Sequence, residues 1–183
     1  ALETQNFTTT TDSYNIGLGY NAGQSITTGL HNTLVGGLAG AATTDADRNV
    51  ALGYATLYTN VLGSRSTALG YTALHTQNPA TAVDMYNTGV GYSAGYAITT
   101  GVSNTLVGGL SGDALTIGQE NTAVGRSSLS AAVGDRYCVA IGNSALGSQT
   151  NATGTDVYNT AVGYAAGAAV TTGVQNTLVG SLA

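Results

Sequence analysis

The chain is built on a five-residue block that ends in glycine and returns at fixed intervals. Examples are Asn32–Gly36, Asn104–Gly108, Asn159–Gly163 and Asn176–Gly180, which read NTLVG, NTLVG, NTAVG and NTLVG. The closing glycines are Gly19, Gly36, Gly53, Gly70, Gly91, Gly108, Gly125, Gly142, Gly163 and Gly180, with spacings of 17, 17, 17, 21, 17, 17, 17, 21 and 17. Three short units and one long unit sum to 72, so a super-repeat divides the chain into 1–72, 73–144 and a partial 145–183. Residues 1–39 and 73–111 agree at 25 of 39 positions, whereas 40–72 and 112–144 agree at only 10 of 33, which points to duplication of a four-unit block. A unit this short cannot fold alone; it must bury its apolar residues against the units before and after it.

The columns of the repeat define the unit. The residue before the glycine is always aliphatic, as at Leu18, Val35, Leu69, Val107, Ile141 and Val179. Two places earlier the residue is always β-branched: Ile16, Thr33, Val50, Thr67, Thr88, Thr105, Thr122, Val139, Thr160 and Thr177. Side chains alternate along a strand, so these two columns share one face, and the Ala, Gly or Leu between them takes the other. Neither face carries charge, and a strand apolar on both sides is ordinarily buried on both. Glycine closes the strand where positive φ or close approach of the next unit is needed. Asn opens the block in eight of ten units, and stacked amides bond along a column.

These features predict an all-β chain: a β-solenoid, or β-roll, of about ten coils forming one module over 1–183. At the usual strand spacing the rod is roughly 50 Å long. The aliphatic column, represented by Val35, Val107 and Val179, is expected in the core. The second apolar face needs a partner, because long exposed apolar stripes mark interfaces; a homotrimer is the first expectation and a single wider solenoid the second. The long coils add four residues each, in 74–86 and 146–158, with Leu2–Tyr14 on the same pattern; these are expected to project as loops on one side. No capping segment is legible. Ala1 and Ala183 fall in the same column, which suggests a slice of a longer fibre or end-to-end stacking into a filament.

The block Asn-Thr-Ala-Val-Gly-Tyr followed by Ala, with Thr-Thr-Gly before the next Asn, resembles the repeats of phage tail fibres. It is also similar to the head repeats of trimeric autotransporter adhesins. That second resemblance implies a left-handed parallel β-roll assembled as a trimer, although these coils are longer than the adhesin ones. Together the resemblances imply a structural and adhesive fibre at a virion surface or cell surface.

Composition narrows the function further. Four arginines, no lysine and a net charge of −5 cannot neutralise a phosphate backbone, so nucleic acid is not an expected partner. No apolar run approaches the roughly 20 residues of a membrane helix. No enzyme activity, cofactor or metal is expected. Asp12, Asp84 and Asp156 lie a super-repeat apart, too far to act as a glycosidase pair. Asp45 and Asp47 read as a turn rather than a calcium site, and His31 and His75 as isolated turn residues. Cys138 stands in the Asn column and reads as a small buried residue. Asn6-Phe7-Thr8 and Asn151-Ala152-Thr153 match the glycosylation acceptor pattern, which a Thr-rich chain produces readily.

Tyr20, Tyr54, Tyr71, Tyr92 and Tyr164 all follow the closing glycine and form a discontinuous stripe, a candidate contact for a cell-surface glycan or protein receptor. Cover of strand ends, or packing between protomers, is the structural reading of the stripe. Two other functions remain as alternatives: an ice-binding solenoid, weakened because Thr-Thr pairs recur in only some coils and the regular Thr column shares its face with aliphatics expected in the core, and a glycan-depolymerising fibre.

Overall fold

The computed structural model describes residues 1–6 and 11–183. Among the described residues ten three-residue strands carry the repeat; of four two-residue strands, two lie in the long coils and two in the short coils just before them. In chain order they are β1 (Ile16–Leu18), β2 (Thr33–Val35), β3 (Val50–Leu52), β4 (Gly63–Ser64), β5 (Thr67–Leu69), β6 (Val83–Asp84) and β7 (Thr88–Val90). The remainder are β8 (Thr105–Val107), β9 (Thr122–Val124), β10 (Asp135–Arg136), β11 (Val139–Ile141), β12 (Thr155–Asp156), β13 (Thr160–Val162) and β14 (Thr177–Val179). The ten repeat strands form one parallel sheet, with each strand bonded to its counterpart one coil away. Register is kept across the long coils as well: Thr67 pairs with Thr88 and Val139 with Thr160. The chain is a parallel β-solenoid of about ten coils. The insertions are partly ordered into the rod, because β4 pairs with β6 and β10 with β12.

Which strand face turns inward corrects the sequence expectation. The central residue of each strand fills the interior: Leu34, Ala51, Ala68, Leu106, Ala123, Ala140 and Ala161 are all buried. The β-branched and aliphatic columns face out. Val35 and Val107 are half-buried and Val179 is 71% exposed, so none of the three is a core residue of the single chain. A three-residue strand sends one side chain one way and two the other. A thin coil has room for the one.

The interior is filled by volume exchange between two columns. Where the strand centre is Leu34 or Leu106, the residue four places after the closing glycine is Gly40 or Gly112; where it is Ala51, Ala68, Ala123 or Ala140, that residue is Leu57, Leu74, Leu129 or Leu146. All four of those leucines are buried, and all have φ near +50°. That left-handed backbone costs a non-glycine residue about 1–2 kcal/mol, and here it aims an isobutyl group into the space an alanine leaves. In the coil with Gly89 and Gly95, Leu74 fills from below and Leu106 from above: a Cβ on Gly89 would lie 2.8 Å from Leu74 Cγ, and one on Gly95 2.7 Å from Leu106 Cδ1.

The closing glycines are required twice over, as Gly108 illustrates. Its φ is +134°, and an added Cβ would sit 2.5 Å from the carbonyl oxygen of Gly125 in the next coil. Backbone meets backbone there, with no space for a side chain.

The Asn column is an interior amide ladder. Asn104 Nδ2 donates to the Gly118 carbonyl at 2.9 Å, and its Oδ1 accepts the backbone N–H of Asn121 at 3.1 Å. Asn32, Asn49, Asn87, Asn121 and Asn159 make the same pair of bonds within and between coils. The ladder is interrupted at Ser66 and Cys138, each of which precedes a long coil. There a glutamine from the insertion takes over. Gln77 Oε1 accepts from Ser66 Oγ at 3.1 Å and from Asn87 Nδ2 at 3.0 Å. Gln149 Oε1 accepts from Asn159 Nδ2 at 2.7 Å while its Nε2 donates to Asp135 Oδ1 at 3.1 Å.

Candidate functional site

Two surfaces follow from this architecture. The first is the outer face of the ten-stranded sheet. Two ranks run along it in register, one of Thr, Val and Ile and one of Leu, Val and Ile. Ile16, Leu18, Val50, Leu52, Leu69, Ile141 and Val162 stand exposed on it. Scattered apolar side chains are ordinary on a surface, but a contiguous rank spanning ten strands is not. No charged side chain stands in either rank.

The second surface is aromatic. A column of side chains at one coil spacing stacks face to face, and the rings do so here. Tyr54 and Tyr71 lie 5.3 Å apart with planes 17° from parallel, and Tyr71 and Tyr92 lie 5.7 Å apart at 10°. Tyr20 and Tyr164 are exposed and have Gly37, or Asn143 and Ser181, as column neighbours, so the stripe is a three-ring ladder with two outliers. Stacking covers both faces of Tyr71 and one face each of Tyr54 and Tyr92, and leaves edges and hydroxyls to solvent. A ligand along this ladder therefore meets a rank of phenol edges, with flat ring faces only at its ends.

Two further ladders were not singled out from the sequence. Four residues after each ladder tyrosine, Tyr58, His75 and Tyr96 form a second stack, with both spacings 5.1 Å. Its signal was present in the sequence as a column, hidden because His75 was read alone. The imidazole is sandwiched between two phenols, and its Nδ1 lies 3.0 Å from the Ala55 carbonyl oxygen. Before the Asn column, Tyr14 stacks on His31 and Tyr137 on Tyr158. Burial raises the Asp113 carboxyl above the ordinary carboxylate range; Asp113 follows Tyr96 in its column.

Asp45, Asp47, Asp84, Asp135 and Asp156 link neighbouring coils, whereas Asp113 Oδ1 is buried without a partner. Asp45 accepts from the hydroxyls of Thr27 and Thr28 in the coil before it, and Asp47 accepts the Leu30 N–H at 2.7 Å. Asp84 pairs with Arg65 at 2.9 Å and accepts from Tyr86 OH; Asp156 lies 3.6 Å from Arg136. Asp12 accepts from Tyr14 OH. Asp135 is buried without a cation and is held by the N–H groups of Val133 and Asn151 and by the amides of Gln149 and Asn151. This leaves Asn151, an acceptor by sequence pattern, with its amide nitrogen 2.6 Å from Asp135 Oδ1. The Asn6-Phe7-Thr8 pattern extends outside the described residues. Cys138 is fully buried, and its thiol is pushed up to about 12, by burial first and by the Asp135 charge second. Among the described residues no helix is long and apolar enough to cross a membrane.

Comparison with protein-family models, with curated proteins and with solved structures finds no match to this chain.

Proposed function

We propose that the chain is a structural shaft module of an extracellular or virion-surface fibre, without enzymatic activity, that assembles laterally with copies of itself as a homotrimer. One observation carries the reading: the outer face of the sheet carries an unbroken aliphatic rank from β1 to β14, beside a rank of Thr, Val and Ile, with no charged residue in either. A second copy offers the same rank at the same coil spacing, so three such faces bury one another along the whole rod. The resemblance to tail-fibre and adhesin-head repeats points the same way. Tyr20, Tyr54, Tyr71, Tyr92 and Tyr164 lie in a separate column from these ranks and remain available for contact with a surface receptor.

Sedimentation equilibrium tests the assembly. The expected mass is three times the 18.1 kDa of the chain. Val107→Asp with Val124→Asp places two carboxylates in the rank and should return the monomer while the circular dichroism of the β-rod is retained. A parent chain that stays at 18.1 kDa over the whole concentration range overturns the proposal.

A second reading has one observation in its favour. Seven of the ten β-branched positions are Thr, and they face outward rather than into the core. The ground that the Thr column shares its face with core aliphatics is therefore removed, while the Thr-Thr pairs still recur in only some coils. Thermal hysteresis in a monomeric preparation would select that reading, and its absence together with a trimeric mass would select the fibre.

A further inference from the structure

The second aromatic ladder ends in an open ring face. Tyr58 stacks on His75, with planes 11° from parallel, so one face of the phenol is covered. Its other face looks toward the preceding coil, where the same column holds Ala41 and, one coil further, Gln24. A methyl group does not cover a ring. A depression of about 370 Å³ lies there, with Asn21, Gln24, Ser25, Leu38, Ala41 and Tyr58 among its walls. That volume falls within the range of small-molecule sites, roughly 300–1,000 Å³.

The polar groups around this depression are uncommitted. Among the described residues, the side chains of Asn21, Gln24 and Ser25 make no hydrogen bond to the protein, whereas the amides of the interior Asn column are bonded from coil to coil. Each amide offers both a donor and an acceptor, and the serine hydroxyl offers both as well. No charged residue lines the depression, and the chain carries a net charge of −5. An anionic ligand meets no cation here. A purely apolar ligand would bury two amides without partners, which is costly. A neutral sugar satisfies every wall: its axial C–H face lies on the open phenol, and its hydroxyls both donate to and accept from the amides. The ring at this position is not demanded by the coil, since the same column accepts Ala41, Ser130, Gly147 and Ala168.

We propose that this depression is a saccharide subsite that takes a hexose unit of an uncharged glycan, with Tyr58 as the stacking platform and Asn21, Gln24 and Ser25 as hydrogen-bonding partners. The site lies off the outer sheet face and does not rest on the fibre reading, so failure of one leaves the other standing.

The test uses the 183-residue chain with cellotetraose, chitotetraose, mannotetraose and maltotetraose as uncharged probes and tetragalacturonate as the acidic one, read by saturation-transfer NMR and titration calorimetry. At least one uncharged probe is expected to bind with a millimolar or tighter dissociation constant and to give saturation transfer from Tyr58. Tyr58→Ala should weaken it by at least about tenfold. Ala41→Tyr, which extends the ladder downward and fills the depression, should do the same in a rod whose circular dichroism is unchanged. Tyr158→Ala removes a ring from a different ladder and should leave binding as it was. Absence of binding by all four uncharged probes, a preference for tetragalacturonate, or unchanged affinity in Ala41→Tyr would each overturn the proposal.

Discussion

Asn104→Ala tests the claim that the amide ladder, rather than the strand ladder alone, fixes one coil on the next. Asn104 is fully buried. Its Nδ2 donates to Gly118 O at 2.9 Å and Asn87 Oδ1 at 3.1 Å; its Oδ1 accepts from Asn121 N at 3.1 Å and Asn121 Nδ2 at 3.0 Å. Alanine removes all four bonds. Two of the groups left behind find other partners: Asn87 Oδ1 still accepts the backbone N–H at 104, and Asn121 Nδ2 still donates to Asp135 O. The other two, Asn121 N–H and Gly118 C=O, become buried and unpaired. At about 1–3 kcal/mol for each orphaned group, the loss is about 2–6 kcal/mol. Solenoid stability is a sum of local terms, so a global melt dilutes the effect. The sharper assay is hydrogen exchange at the Asn121 amide, whose acceptor is deleted. A loss of 2 kcal/mol or more corresponds to at least about thirtyfold faster exchange. Thr105→Ala, next in sequence but pointing outward, serves as the control, with an expected change within about 0.5 kcal/mol. Exchange at Asn121 within about threefold of the parent would refute the ladder as a stabilising element.

Gly108→Ala should be among the most damaging single changes, at about 2–6 kcal/mol, because unfavourable positive φ and overlap with the Gly125 carbonyl add; urea unfolding of the variant measures it. Tyr71→Ala removes two ring contacts from the exposed ladder and should cost about 1–3 kcal/mol in thermal unfolding while the fold persists, since Gly109 and Asn143 occupy the same column. Cys138 should resist iodoacetamide at pH 8 in the folded rod and react once the rod is unfolded. Its folded pKa lies above the unfolded one, so the folded state binds more protons as pH rises from about 9 toward 12, and stability falls across that window. Cys138→Ser should flatten that part of the pH profile.

The coil count, the strand positions, the closing glycines and the Asn stacking were legible because each recurs at fixed spacing and each has one physical use. The facing of the strand was not. With three residues per strand, alternation says only that Thr105 and Val107 share a side and Leu106 takes the other. The large aliphatics drew the core assignment to the wrong side. A signal was nevertheless present in the exchange between columns: Leu106 goes with Gly112, and Ala123 with Leu129. Residues that trade volume must share a cavity, whereas Val107 and Val124 trade with nothing inside the coil. Gln77 and Gln149 were missed for a related reason. Each lies in an insertion, where no column leads to it, and its purpose shows only once Ser66 or Cys138 is seen to lack an amide.

The same logic separates what the fold demands from what it merely permits. Inside, nearly every position is answerable to a neighbour one coil away: glycine to carbonyl, amide to amide, leucine to glycine. Outside, columns are free to vary, and the column holding Tyr58, His75 and Tyr96 holds Ala41 and Ser130 elsewhere. Rings gathered in three successive coils, on a scaffold that accepts a methyl group in their place, are therefore not explained by the rod. The outward aliphatic rank differs, because it is apolar in every coil, as the proposed contact along the full length of the rod requires. A partner of equal length and equal coil spacing fits that rank, and another copy of the chain has both.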